Sequence, residues 1–205
     1  MNPTRLYLLR HGEVEASYQR VFGGRIDMEL SPHGHSQAVA LAKFLERVAF
    51  DAIYASPMKR AQQTLAPIAR QYLWKPTTLP DLREMDFGVW TGLKWSEVEE
   101  RHGVSAYQWL EQLEKGAVPE AEKTPQVRAR VEACLQSILS ECSGKTVAIV
   151  CHGGIVRMLL ALLLDLPFTK TAAFEIDYAS LTVVDHHPGK VDLQLLNFTP
   201  WRDHL

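Results

Sequence analysis

YLLRHGEV, residues 7–14, decides the fold: an apolar run that reads as a buried β-strand ends abruptly at arginine, histidine and glycine. VAIVCHGGIVR, residues 147–157, repeats the pattern, a second apolar run closing on His152, Gly153 and Gly154. Working outward, residues 4–9 and DAIYAS at 51–56 read as strands, and KTVAIVC reads as a fully buried one. Between them LSPHGHSQAVALAKFLERV reads as a helix with Ser31 as N-cap, Pro32 at the first helical position and Ala38, Leu41, Ala42 and Leu45 on one face. SPMKRAQQTLAPIARQY carries the same Ser-Pro signal, with Pro67 expected to bend or break the helix near its middle. TPQVRARVEACLQSILSEC predicts a long amphipathic helix, and GGIVRMLLALLLDL a largely buried one. Strands alternating with helices predict an α/β fold, a three-layer α/β/α arrangement about a mostly parallel sheet.

The tail, AAFEIDYASLTVVDHHPGKVDLQLLNFTP, alternates polar and apolar residues around a Pro-Gly turn and predicts two or three further strands, some antiparallel. Residues 94–125 break the pattern with charged, Trp-bearing stretches and read as a small helical insertion over one end of the sheet. Trp95, Tyr107 and Trp109 there suit helix packing better than contact with an aromatic substrate. The whole span, 1–205, is expected to form a single domain.

A net charge of -2 gives no electrostatic case for nucleic acid or an anionic membrane as partner. The longest apolar run, Met158 to Leu164, is too short to cross a bilayer, and the first residues lack the pattern of a signal peptide. Cys134, Cys142 and Cys151 are an odd set without zinc spacing, which fits a reducing cytoplasm. The pairs His33/His35 and His186/His187 lack a third nearby ligand, so no metal or other cofactor is expected. Nothing in the sequence decides between a monomer and a homodimer.

In open α/β sheets ligands bind beyond the carboxyl ends of the strands. Those ends carry Arg10-His11-Gly12, then Ser56-Pro57 with Lys59 and Arg60, then His152-Gly153-Gly154. Taken singly, each is an ordinary turn with solvated charges. Together at one edge they supply cations, donors and glycines that let backbone amides approach an anion, which makes the edge a phosphate cradle. LREMDFGVWTGL, residues 82–93, adds Glu84 among apolar neighbours, a setting that suits a general acid, with Asp86 as runner-up.

These motifs resemble the histidine phosphatase superfamily, the phosphoglycerate mutase-like family: RHGE, GGRIDMELSPHGHSQA, YASPMKRAQQT, LREMDFGVWTG and VCHGG follow one another in its order. The resemblance implies a phosphohistidine mechanism without metal, acting on a small phosphorylated metabolite. His11 matches the nucleophile, Arg10 and Arg60 the phosphate-binding arginines, His152 the second histidine and Glu84 the proton donor; Gly153 joins the phosphate site. Where relatives often carry threonine, asparagine and glutamine, this chain has Val14, Ser17 and Gly23, so Ser17 is the expected replacement donor. EMDFGVWTG resembles the phosphatase branch, which includes α-ribazole phosphatases and broad-specificity phosphatases, whereas mutases follow the glutamate with Arg and Tyr. Three rivals stand beside this reading. One is mutase-type phosphoryl transfer, another is a phospho-ligand binding module without turnover. The third is a cysteine phosphatase using Cys151 and Arg157 in CHGGIVR, which lacks the histidine usual before the cysteine and leaves RHG and SPMKR unexplained.

Overall fold

The computed structural model describes residues 2–73, 75–105 and 108–203. Strands β1 (Thr4–Arg10), β2 (Ala52–Ala55), β3 (Thr77–Thr78), β4 (Thr146–Cys151), β5 (Leu181–His187) and β6 (Lys190–Phe198) form one sheet in the order β3-β2-β4-β1-β5-β6. β1 runs parallel to β4, β4 to β2 and β2 to β3. β5 then pairs antiparallel with β1, and β6 antiparallel with β5. The tail therefore adds two strands, joined at Pro188 and Gly189 where φ is +77°. With β1 in register against β4, Arg10 lies opposite Cys151, and the His11 amide donates to the Cys151 carbonyl at 3.0 Å. The Ser56 amide donates to the Val150 carbonyl at 2.9 Å, so the three chemically marked strand ends meet at one edge.

The pleat sorts the core into two layers. Val147, Ile149 and Cys151 of β4 face a cluster completed by Val127, Val131, Leu135 and Ile138 of α5 (Thr124–Glu141) and by the apolar face of α6 (Gly153–Leu163). Ala148 and Val150 face Leu41 and Leu45 of α1 (Pro32–Leu45) and Ala61, Leu65 and Ile68 of α2 (Lys59–Ala69). The three-layer arrangement expected from the alternation is the one the chain adopts.

Helix starts differ in an informative way. Ser31 caps α1 as predicted, its Oγ accepting the Gly34 amide at 2.9 Å with Pro32 following. The Ser56-Pro57 signal does not open α2, which begins at Lys59. Asp27, from a distant loop, accepts the Lys59 amide at 2.8 Å instead, while Ser56 Oγ lies 2.7 Å from His152 Nε2. α2 ends at Ala69, earlier than expected, so Pro67 falls in its last turn and the helix runs through it.

Residues 94–125 form α3 (Trp95–His102) and α4 (Trp109–Glu114) before the chain enters α5. Trp109 packs edge-on against Phe87 with ring centroids 5.7 Å apart, Trp95 is exposed, and Tyr107 lies outside the described residues. Gly88, at φ +53°, sits under this segment so tightly that a Cβ would stand 2.1 Å from the Pro119 carbonyl oxygen. The insertion thus clasps the loop that carries Glu84.

Ile149→Ala, in the middle of the sheet and fully buried, is expected to cost about 2–5 kcal/mol of unfolding free energy. Leu193→Ala, half-exposed on edge strand β6, is expected to stay within about 0.5 kcal/mol, and urea titration of both variants checks the contrast.

Candidate active site

The site grows from the first residue after β1. His11 is buried, and its Nδ1 lies 2.8 Å from the carbonyl of Gly12. Since a carbonyl only accepts, Nδ1 carries the proton and Nε2 carries the lone pair. Arg60 Nε donates to that Nε2 at 3.2 Å and to His152 Nδ1 at 3.1 Å, one donor shared by two imidazoles. His152 then holds its own proton on Nε2, facing Ser56 Oγ. The guanidinium is anchored behind by the Ile26 carbonyl on Nη1 (2.8 Å) and the Gly24 carbonyl on Nη2 (3.1 Å).

Burial and charge act together on these groups. Loss of solvation, then the Arg60 and Arg10 cations, hold His11 well below the ordinary imidazole value, and His152 is lowered by burial, Arg60, His11 and Arg10. Burial pushes Arg60 down to about 10, which leaves it a cation at neutral pH. The free site is therefore two neutral imidazoles joined by one buried guanidinium.

Arg10 supplies a second cation. Its Nη1 donates to the Ile176 carbonyl at 2.5 Å, and its guanidinium carbon lies 4.0 Å over the Tyr178 ring. Among the described residues its Nε is buried without a hydrogen-bond partner, and a Cβ placed on Gly153 would stand 3.5 Å from that Nε. An orphaned buried guanidinium donor is a rarity that an oxyanion would satisfy. Glu84 reaches the same edge from the loop after the short 3-10 turn Pro80–Leu82, its Oε2 accepting the Gly154 amide at 3.2 Å and its Oε1 the Met85 amide at 3.0 Å. Gly154 makes the contact sterically feasible: a Cβ there would meet Oε1 at 2.6 Å and the Met85 sulfur at 2.9 Å.

The structure thus brings together Arg10, His11, Arg60, Glu84, His152 and Gly153. Ser17 stands exposed on the 3-10 turn Ala16–Tyr18, with no contact to the others seen among the described residues. Asp86 instead accepts the Gly88 amide at 3.0 Å. His33 packs edge-on against Trp201, and His187 faces Asp192 across the β5–β6 hairpin. Cys151 is fully buried and its thiol is pushed far above the usual range by desolvation, while Arg157 spends its Nη1 on the Thr171 and Phe174 carbonyls. A buried thiol and a committed arginine leave the cysteine-phosphatase reading without nucleophile or clamp.

Contacts of three residues around the two histidines escaped the sequence reading. Ser56, read as a helix cap, orients His152. Thr64 accepts the Gly12 amide at 2.9 Å and donates to the Arg60 carbonyl at 2.7 Å, tying the His11 loop to α2. Tyr178 flanks both Arg10 and His11, its ring centroid 5.6 Å from the imidazole. The threonine lies four residues after Arg60 in KRAQQT, so its spacing was the one available signal.

The profile of the histidine phosphatase superfamily (branch 1) matches residues 6–199. The chain belongs to this superfamily. Among curated relatives, a bifunctional protein of Mycobacterium tuberculosis is 35% identical over 96% of this chain and 54% of its own length. The chain therefore spans about half the length of that relative. Phosphoserine phosphatase 1 of Hydrogenobacter thermophilus is 30% identical over 95% of this chain and 92% of its own. In structure, the α-ribazole phosphatase from Shigella flexneri superposes with a TM-score of 0.81 at 27% identity, covering 96% of this chain and 97% of that one.

The two buried imidazoles predict an acid-side loss of stability. Below the ordinary imidazole value of 6.5 the unfolded chain takes up protons that the folded site refuses, so stability is complete above 6.5 and declines as pH falls toward the lowered folded values. Each histidine contributes a slope of about 1.4 kcal/mol per pH unit in that window. Denaturant titration of the parent and of His11→Asn from pH 7 downward is expected to show a shallower decline in the variant. Equal slopes would remove His11 from the account.

Proposed function

We propose that this histidine phosphatase superfamily member hydrolyses the phosphomonoester of a small metabolite through a phosphohistidine at His11, without a metal. The observation that carries the reading is the fixed tautomer of His11: Nδ1–H is tied to the Gly12 carbonyl and the Nε2 lone pair faces the buried Arg60. Nucleophilic attack needs a neutral imidazole, and burial beside two arginines holds it neutral. Phosphoryl transfer asks the protein mainly for positioning and for cations at the equatorial oxygens, which Arg10 and Arg60 offer with amides near Gly153. As the Nε2–P bond forms, the bond from phosphorus to the leaving oxygen breaks and Glu84 gives its proton to that oxygen. Water then attacks phosphorus, Glu84 takes a proton from it, the P–N bond breaks, and inorganic phosphate leaves with His11 neutral again. Ser17, exposed on the Ala16–Tyr18 turn, is the hydroxyl donor this reading assigns to the phosphoryl group. The relatives' substrates, a phosphoserine and an α-ribazole phosphate by their names, support a small phosphorylated metabolite as the class.

We also read residues 1–205 as one working domain, since one sheet carries both apolar layers. Among the described residues no helix is long and apolar enough to cross a membrane. Free, buried thiols at Cys134, Cys142 and Cys151 support the cytoplasm as its compartment.

Hydrolysis of p-nitrophenyl phosphate with EDTA present is the decisive assay. The parent is expected to turn over and to give an acid-labile phosphoenzyme, Cys151→Ser to remain active, and His11→Ala to lose activity by about a thousandfold or more. Transfer of the phosphoryl group to a second site of the substrate instead of to water would favour a mutase, and tight phosphate binding with no turnover would favour a binding module.

A further inference from the structure

Glu84 is carried on a loop, yet a proton donor must be held to within a fraction of an ångström. Arg130 of α5 answers how. Its Nη1 donates to the carbonyl of Arg83 at 2.9 Å and to the carbonyl of Asp81 as well, bracing the backbone immediately before Glu84. Its Nε and Nη2 fork onto Glu122 at 2.6 and 3.0 Å. Glu122 braces the other side, its Oε2 accepting the Asp86 amide at 3.3 Å and its own amide donating to the Asp86 carbonyl at 3.0 Å. The same oxygen accepts Arg25 Nη2 at 3.1 Å, and Arg25 sits between Gly24 and Ile26, whose carbonyls hold Arg60.

Both members of the central pair are largely shielded, with side-chain exposures of 15% for Arg130 and 14% for Glu122. A bidentate pair in that setting is directional as well as attractive. The two arginines also hold the Glu122 carboxyl below its ordinary value against the opposing effect of burial.

We infer that the Glu122–Arg130 pair is a positioning device for Glu84: it fixes the backbone on both sides of that residue and so sets its carboxyl group against the N-terminus of α6. The inference rests on the proposed role of Glu84 as proton donor. The pair's effect passes through Glu84, so it must depend on how much the leaving oxygen needs a proton.

That dependence gives the test. Phenyl phosphate releases a basic phenolate that needs protonation, and 2,4-dinitrophenyl phosphate releases one that does not. Comparison of kcat/KM, which reports steps through transfer to His11, isolates the proton-donating step from later hydrolysis. Arg130→Met is expected to lose about thirtyfold on phenyl phosphate and less than about threefold on the dinitrophenyl ester, within the range that general acid catalysis supplies. Arg130→Lys should fall between, since a lysine reaches a carbonyl but cannot form the fork. Glu84→Gln, the control, should discriminate in the same sense and more strongly. Equal losses on both esters, or none on either, in Arg130→Met while Glu84→Gln discriminates would overturn the inference and leave Glu84 in place. If Glu84→Gln treats the esters alike, the proton-donor reading falls and the positioning role falls with it. Should Arg130→Met fail to fold, Glu122→Gln answers the same question.

Discussion

One buried guanidinium organises the centre of this molecule. Arg60 is a cation with almost no access to water, and such a group is tolerated only when it is hydrogen-bonded. Here the takers are two carbonyls of a loop and two imidazole nitrogens. Each pairing constrains something else: the carbonyls shape the Gly24–Ile26 loop, and the imidazoles fix which nitrogen of His11 and of His152 is bare. Asp27, next along that loop, caps the helix from which Arg60 projects, so the loop and α2 hold one another. Removing the cation would leave carbonyls and imidazoles unsatisfied together.

Around this centre, specificity of placement comes from backbone proximity as much as from side chains. Gly154 lets a carboxylate lie against the start of α6, and Gly88 lets the insertion close over the loop that delivers it. The exact roles differ, but both glycines allow a close approach that any side chain would block. The anion-receptive edge is thus assembled from elements far apart in the chain, drawn together by parallel pairing of β1, β4 and β2.

Much of this was legible. Period-two and period-3.6 apolar patterns marked the strands and helices, and polar residues at three strand ends marked the edge where chemistry collects. Arg10, His11, Arg60 and His152 stood at those ends, and the family resemblance gave each of them its role. What escaped were partnerships made only by folding. Ser56 has the same local signal as Ser31, yet one caps a helix and the other holds a histidine, because Asp27 supplies the cap at α2. Tyr178 lies in the polar-apolar alternation before β5 with nothing local to tie it to Arg10. Arg130 and Glu122 read as an ordinary charged helix face and the loop before it, and their bracing of the backbone around Glu84 depends on where α5 lands.

The position of β1 has a consequence for how the protein comes to exist. It is a central strand, flanked by β4 and β5, so neither of its edges is satisfied by anything near it in the chain. Thr4 finds its carbonyl partner 138 residues on, and Arg5 its carboxylate partner 180 residues on. Pairings this remote are slow to form, because the loop entropy of closing them is lost before any contact offsets it. During synthesis the first strand leaves the ribosome long before its neighbours exist, carrying an apolar run with two open edges. The residue that begins the site is made well before β4 and β5, the strands that complete its surroundings.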